Sequence, residues 1–216
     1  MEATRMLLIR HGETDWNRAR RVQGHVDVGL NATGRAQARQ LGAALAARDP
    51  LAAIYTSDLA RTLQTARAVA MATGAALTEE PALRERHFGK FQGMSFAEAS
   101  QRFPDQAWHW RHRTPEWSPP GGGESLLAFQ ERIVAAINAL ACENTGRQIA
   151  VVTHGGVLDV LYRTATGLNL QSPRTWQIGN AAINRVLWTP EGGLRLVGWD
   201  DAMHLAHGVL DENTAA

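Results

Sequence analysis

The residues with the clearest chemical potential lie near the start of the chain, in the run Arg10-His11-Gly12. Four apolar residues, at positions 6–9, lead into it, and a short apolar run bounded by glycine predicts a buried strand. A strand without polar alternation suits the centre of a parallel sheet that is covered on both faces. Ligands of such sheets bind beyond the carboxyl ends of the strands. We therefore expect Arg10 and His11 to lie at a binding edge.

These two residue types together point to phosphoryl transfer through histidine. A neutral imidazole is a nucleophile, and the neighbouring charge of Arg10 favours the neutral form of His11. The planar guanidinium also matches the oxygens of a phosphate. The alternative for a single Arg-His pair is an ordinary strand-end histidine that is hydrogen-bonded to backbone.

A second strand-to-histidine junction occurs late in the chain. An apolar, β-branched run from Gln148 to Thr153 leads into His154-Gly155-Gly156. Because parallel strands end at one edge of a sheet, the two junctions can bring His11 and His154 into one pocket. His154 would then bond phosphoryl oxygens, and backbone N–H groups from Gly155 onward would add donors.

Arg61 is predicted to lie in the first turn of a helix that follows a strand at about residues 52–56. The amino end of a helix attracts anions, and a cation there opposes the helix dipole. A bound phosphate would compensate this cation. The alternative is a first-turn arginine that simply faces solvent.

The run Arg10-His11-Gly12-Glu13-Thr14, with Asn17, resembles the signature of the histidine phosphatase superfamily, also called phosphoglycerate mutase-like. The segments Ser57–Ala66 and Leu83–Gly93 resemble later motifs of this family, in the same order, and the resemblance covers nearly the whole chain. It implies an α/β fold, with three α/β/α layers and a mostly parallel central sheet.

The resemblance also implies a role for each site residue. His11 would attack phosphorus to form a phosphohistidine, and Glu85 would protonate the leaving group, with Glu13 and Glu124 as weaker candidates for this acid. The equatorial oxygens would be stabilised by Arg10, Arg61 and His154. Asn17 would contact the phosphoryl group, and Gln23 and Gly24 would line the substrate mouth. The expected enzyme is a metal-independent, acid-type phosphatase that needs no cofactor.

Two other functions are weighed against the phosphatase. Phosphoglycerate mutases of this family carry a longer insertion between the acid and the second histidine, with an adjacent arginine pair for the substrate carboxylate. This chain is shorter there, and its nearest equivalent is Arg111-His112-Arg113, which a histidine interrupts. A non-catalytic phospholigand-binding module would be expected to lack His11 or Glu85, and both are present.

The whole chain, 1–216, is predicted to form one domain, with a lid-like helical excursion at about 88–123. Within the excursion we expect a helix over 95–112 that begins after Ser95. The alternative is a packed excursion with core tryptophans. Earlier in the chain, Thr33 is expected to begin a helix that Asp49-Pro50 ends, and Arg18, Arg20 and Arg21 are interpreted as solvated loop residues.

The composition bears on the expected binding partners, cellular location and oligomeric state. The formal net charge is +1, so no bulk attraction to nucleic acid or to a membrane is expected. The partner that the resemblance implies is a small phosphomonoester substrate. Cys142 is the single cysteine, which fits a reducing compartment and a cytoplasmic location. Seven tryptophans and a C-terminal hairpin make a homodimer possible. The tail histidines His204 and His207 are interpreted as surface or C-terminal packing residues and not as catalytic ones.

Overall fold

A computed structural model describes residues 2–48 and 50–205, so Asp49 and His207 lie outside the described part. The strands are β1 (Thr4–Arg10), β2 (Ala53–Thr56), β3 (Leu77–Glu79), β4 (Gln148–Thr153), β5 (Ile183–Thr189) and β6 (Gly193–Asp201). The helices are α1 (Asp15–Arg18), α2 (Ala32–Arg48), α3 (Ala60–Thr73), α4 (Phe96–Arg102), α5 (Pro104–Arg111), α6 (Leu126–Glu143) and α7 (Gly155–Thr166).

All six strands belong to one sheet, in the order β3-β2-β4-β1-β5-β6. The pairs β1–β4, β4–β2 and β2–β3 are parallel, whereas β1–β5 and the β5–β6 hairpin are antiparallel. Arg10 pairs with Thr153 in the β1–β4 register, so the two strands end level with each other. The residues that follow them, His11 and His154, are therefore delivered to the same edge.

The core lies on both faces of the sheet, as the unbroken apolar run of β1 predicts. Met6 and Leu8 pack with residues of α6 and α7 on one face. Leu7 and Ile9 pack with residues of α2 and α3 on the other face. The expected three-layer α/β/α fold with a mostly parallel sheet is confirmed.

The first long helix begins differently from the sequence-based expectation, and the second has a long-range contact at its start. The first long helix begins at Ala32 rather than Thr33, and the Asn31 side chain accepts a hydrogen bond from the Gly34 N–H at 2.8 Å. Asparagine is an equally good cap, so local propensity did not separate the two positions. Helix α3 begins at Ala60, whose N–H donates at 2.6 Å to Asp27, a residue that is distant in sequence.

The excursion at 88–123 holds two helices instead of one over 95–112. Helix α4 begins after Ser95 as expected, and Phe103 separates it from α5 with φ −139° and ψ 62°. Proline disfavours the helical conformation in the residue before it, and Pro104 therefore breaks the helix. Phe91 is fully buried and stacks on Trp110, with ring centroids 5.4 Å apart.

Among the described residues, no helix has both the length and the apolar character that crossing a bilayer requires. The tail histidine His204 packs as expected, because its Nε2 lies 3.0 Å from the carbonyl oxygen of Ala181.

Gly74 ends α3 in the left-handed conformation, with φ 73°, and a side chain there would be strained. We expect Gly74→Ala to lower the free energy of unfolding by about 1 kcal/mol. Gly198→Ala is the matched control, since its Cβ would meet no atom within 4 Å. Urea unfolding measures both variants, and equal stability of the two would contradict the expectation.

Candidate active site

One pocket of about 230 Å³ opens at the carboxyl ends of β1 and β4. Apart from the weaker acid candidates Glu13 and Glu124, its lining includes every site residue predicted from the sequence except His154, which is hydrogen-bonded to Arg61. Its lining is formed by Arg10, His11, Asn17, Arg21, Val22, Gln23, Gly24, Arg61, Glu85, Phe88, Gly155, Gly156, Arg174 and Ile178. The polar side chains converge from four separate parts of the chain.

His11 follows β1 and is almost completely buried in the pocket floor. Its Nδ1 lies 2.7 Å from the carbonyl oxygen of Gly12. A carbonyl only accepts hydrogen bonds, so Nδ1 carries the proton and Nε2 presents a lone pair. Burial and the charges of Arg61 and Arg10 hold the pKa of His11 well below its usual value. The imidazole is therefore neutral at pH 7.

His154 follows β4 and has the opposite tautomer. Its Nδ1 accepts a hydrogen bond from Nε of Arg61 at 3.2 Å, so the proton resides on Nε2. This Nε2 is buried and has no hydrogen-bond partner among the described residues. Burial, Arg61 and His11 hold the pKa of His154 well below its usual value. The two rings lie edge to face, with centroids 5.4 Å apart.

Arg61 lies in the first turn of α3, as predicted, and is 1% exposed. Besides His154, its guanidinium bonds the carbonyl oxygens of Val26 at 3.0 Å and Gly24 at 2.8 Å. Burial lowers the pKa of Arg61 to about 10, so it remains a cation at neutral pH. The side chain thus places a positive charge in the pocket and holds the 24–26 loop over it.

The other predicted phosphate-binding residues surround this centre. Nη1 of Arg10 donates at 2.8 Å to the carbonyl oxygen of Ile178, which directs the guanidinium across the pocket edge beside Gly155. Asn17 and Gln23 are buried in the lining. Oδ1 of Asn17 accepts from the backbone N–H of Thr14 at 3.0 Å, which fixes the position of its amide.

Glu85 approaches the amino end of α7. Its Oε2 accepts from the N–H of Gly156 at 2.9 Å, and its Oε1 accepts from the N–H of Arg86 at 2.8 Å. A Cβ at position 156 would overlap Oε1 of Glu85, so only glycine permits this approach. The carboxyl group is therefore held at the pocket wall by backbone donors.

The two weaker acid candidates lie outside the pocket lining. Glu13 accepts from Nδ2 of Asn31 at 2.8 Å. Both carboxylate oxygens of Glu124 are bonded to Arg132. Their side chains are committed to structural contacts, which leaves Glu85 as the carboxylic acid of the pocket.

Several lining residues were not identified from the sequence. Arg21 was interpreted as solvated, yet it lines the pocket while pairing with Glu98 at 2.9 Å. Phe88 and Arg174 also line the pocket, and Arg174 comes from the loop after α7. The loop gives no local signal of this position, because neither periodicity nor a cap marks it.

The described residues contain no group of three or more His, Cys, Asp or Glu side chains placed to hold a metal ion. The guanidinium groups of the pocket lining belong to Arg10, Arg21, Arg61 and Arg174.

Comparisons with known proteins show the family of this chain. The family model of the histidine phosphatase superfamily (branch 1) matches residues 6–202. Phosphoglycerate mutase-like protein 4 of Arabidopsis thaliana is 35% identical over 202 residues, covering 93% of this chain and 86% of that protein. Metal-independent phosphoserine phosphatase of the same plant is 34% identical over 206 residues, covering 95% and 84%. The solved structure of Bacillus stearothermophilus YhfR superimposes with a TM-score of 0.84, at 31% identity, covering 93% and 98%.

The α/β fold with a cationic pocket at the strand ends defines a phosphate-handling enzyme class. Within that class, this chain belongs to the histidine phosphatase superfamily, branch 1.

An ordinary histidine is half protonated at about pH 6.5. Because the pKa values of His11 and His154 are lowered, we expect both buried imidazoles to be still neutral at that pH. In phosphate-free buffer, nitrogen-15 NMR should show the Nδ1–H tautomer for His11 and the Nε2–H tautomer for His154. Arg61→Met removes a nearby charge and should raise the pKa of His154. Protonation of either wild-type ring above pH 6.5 would contradict the assignment.

Proposed function

We propose that this protein is a metal-independent phosphomonoester hydrolase that acts through a phosphohistidine at Nε2 of His11. The observation that carries the proposal is the pair of buried imidazoles with opposite tautomers. His11 offers a lone pair and His154 offers an N–H, and both rings lie beside Arg61. Membership of the histidine phosphatase superfamily supports the same chemistry.

In the first step, Nε2 of His11 attacks phosphorus, and the bond from phosphorus to the ester oxygen breaks. Protonated Glu85 gives its proton to this oxygen, so the product leaves as an alcohol. In the second step, water attacks the phosphohistidine and transfers a proton to Glu85. The N–P bond breaks, orthophosphate leaves, and both residues return to their starting state.

Charge on the transferred phosphoryl group is stabilised by the surrounding cations and N–H donors. Arg10 and Arg61 supply the positive charge, and the buried Nε2–H of His154 supplies a directed donor. Asn17, Gln23, Gly24 and the amino end of α7 at Gly155 complete the set. Guanidinium groups here take the role that Mg²⁺ has in kinases and GTPases.

The hydrolase is favoured over a mutase for a reason in the sequence. The names of the relatives do not decide between the two, since one is named phosphoglycerate mutase-like and another is named a phosphatase. The reason lies in the length and composition of one stretch. The stretch between Glu85 and His154 lacks the longer insertion and the adjacent arginine pair of mutases. A non-catalytic module is disfavoured because His11 and Glu85 both line the pocket.

The substrate proposed is a small phosphorylated metabolite. A pocket of about 230 Å³ is at the small end for a ligand site. Phe88 and Ile178 offer apolar contact around the phosphate position, and Arg21 and Arg174 add cations. The cytoplasmic location, the homodimer, the single domain and the lid at 88–123 stay predictions.

The first test is orthophosphate release from a panel of phosphomonoesters in EDTA, including phosphoserine and 3-phosphoglycerate with and without 2,3-bisphosphoglycerate. We expect metal-independent release, which His11→Ala lowers by about 1,000-fold or more because the nucleophile is lost. His112→Ala is the matched control, because His112 is an exposed histidine that follows α5 and lies outside the pocket lining. This variant should keep full activity.

A phosphoryl label that passes from a labelled substrate to the wild-type enzyme, and that is lost in acid but kept in alkali, would identify the phosphohistidine. Interconversion of 3- and 2-phosphoglycerate with little release would instead support the mutase. Undiminished release by His11→Ala would contradict the proposal.

A second expectation concerns Gly156, where a side chain would displace the Glu85 carboxyl group. Gly156→Ala should lower hydrolysis of an alkyl phosphate at least about tenfold, because a shift of the acid weakens proton transfer. Gly198→Ala is again the control. Full activity of Gly156→Ala, measured by steady-state kinetics, would show that the Glu85–Gly156 contact is dispensable.

A further inference from the structure

Arg132 lies in α6 and outside the pocket lining, yet its guanidinium bonds the segment that carries Glu85. Nη1 donates to the carbonyl oxygens of Ala82 at 2.7 Å and Arg84 at 3.0 Å. Nη2 lies 3.4 Å from the carbonyl oxygen of Glu85 itself. One side chain therefore contacts three of the four consecutive carbonyl groups at 82–85.

The guanidinium is itself held in place by Glu124. Nε of Arg132 donates to Oε1 at 2.9 Å, and Nη2 donates to Oε2 at 2.7 Å. Such a two-bond pair restrains both the position and the plane of the guanidinium. The side chain of Arg132 is 26% exposed and that of Glu124 is 18% exposed, so both are largely shielded from water.

The segment needs these contacts because it has little regular structure of its own. Its first residues belong to a single 3₁₀ turn over Pro81–Leu83, and residues 84–88 form neither strand nor helix. The remaining carbonyl, that of Leu83, accepts from Oγ1 of Thr153 at 2.9 Å. His25 adds a contact of 2.7 Å from Nε2 to the Glu85 carbonyl oxygen. All four carbonyl groups are thus tied to elements that are distant in sequence.

We propose that Arg132, held by Glu124, is a positioning residue for the general acid Glu85. It fixes the backbone from which the Glu85 side chain reaches Gly156 and the leaving-group oxygen. The inference rests on the proposed function, in which Glu85 protonates that oxygen. Arg132 acts on proton transfer and leaves the phosphate-binding residues and His11 undisturbed.

This selective effect can be measured through the leaving group. A p-nitrophenolate ion leaves without a proton, whereas an alkoxide needs one. A misplaced acid therefore slows alkyl phosphates and spares p-nitrophenyl phosphate. Loss of general acid catalysis typically costs about 10²–10⁴-fold, and a displacement of about 1 Å can cost about 10²-fold.

The experiment measures kcat/KM of Arg132→Met, Glu85→Gln and the wild type on a series of aryl and alkyl phosphates. Methionine keeps an unbranched apolar chain over the Phe129 ring, which Arg132 covers at 5.2 Å. For Arg132→Met we expect a fall of about 30-fold or more on alkyl phosphates and of less than about threefold on p-nitrophenyl phosphate. The plot of log kcat/KM against leaving-group pKa should steepen, as it should for Glu85→Gln.

Three further variants make the result specific. Arg185→Gln removes a partly exposed ion pair with Asp201, in the β5–β6 hairpin, and should leave the slope unchanged. Glu124→Ala should steepen the slope as Arg132→Met does. The double variant of Arg132 and Glu124 should fall no further than Arg132→Met alone, because both residues act through one contact.

Each outcome has a distinct meaning. An equal fall on every substrate, with an unchanged slope, would show a merely structural role for Arg132 and overturn the inference. An unchanged slope for Glu85→Gln would instead overturn the acid role in the proposed function. Near-UV circular dichroism checks folding, and if Arg132→Met does not fold, the slope of Glu124→Ala decides the matter in the same way.

Discussion

The site depends on a buried cation, Arg61, that must find acceptors for its N–H groups inside the protein. Burial of a charge is costly unless hydrogen bonds compensate it. Nε meets this need at Nδ1 of His154, and Nη1 and Nη2 meet it at the carbonyls of Val26 and Gly24. Because Arg61 keeps its protons at neutral pH, His154 must accept at Nδ1 and carry its own proton on Nε2. A single contact thus determines which ring nitrogen of His154 carries the proton.

The same cation acts on the second imidazole through space. Its charge, together with burial and Arg10, keeps His11 neutral. In the proposed function, phosphate binding and nucleophilic attack depend on the same charges, since the cations that would attract an anion also keep His11 unprotonated. Arg61 also anchors the 24–26 loop, so the pocket wall and its electrostatics are coupled.

Glu85, the proposed acid, is held by a different part of the molecule. It comes from an irregular segment whose contacts are the amino end of α7, Thr153 of β4 and Arg132 of α6, which pairs with Glu124 before that helix. The two histidines and the proposed acid are thus positioned by different kinds of structure. His11 and His154 directly follow strand ends, whereas the Glu85 segment is irregular and is held by side chains of β4 and α6 and by backbone N–H groups.

The sequence by itself determined the features that local patterns encode. Apolar runs that end in His-Gly placed His11 and His154 at strand ends, and a helix start placed Arg61 beside them, because strand and helix boundaries are short-range signals. The break at Phe103 is also local, because Pro104 follows it. Tertiary structure alone decided the tautomers and the position of Arg21 and Arg174 in the lining. The bond between Glu85 and Gly156 joins residues 71 positions apart, and no periodicity reports such a contact. Local sequence patterns identify the residues of the site, but the protonation of these residues and the distances between them depend on packing between distant segments.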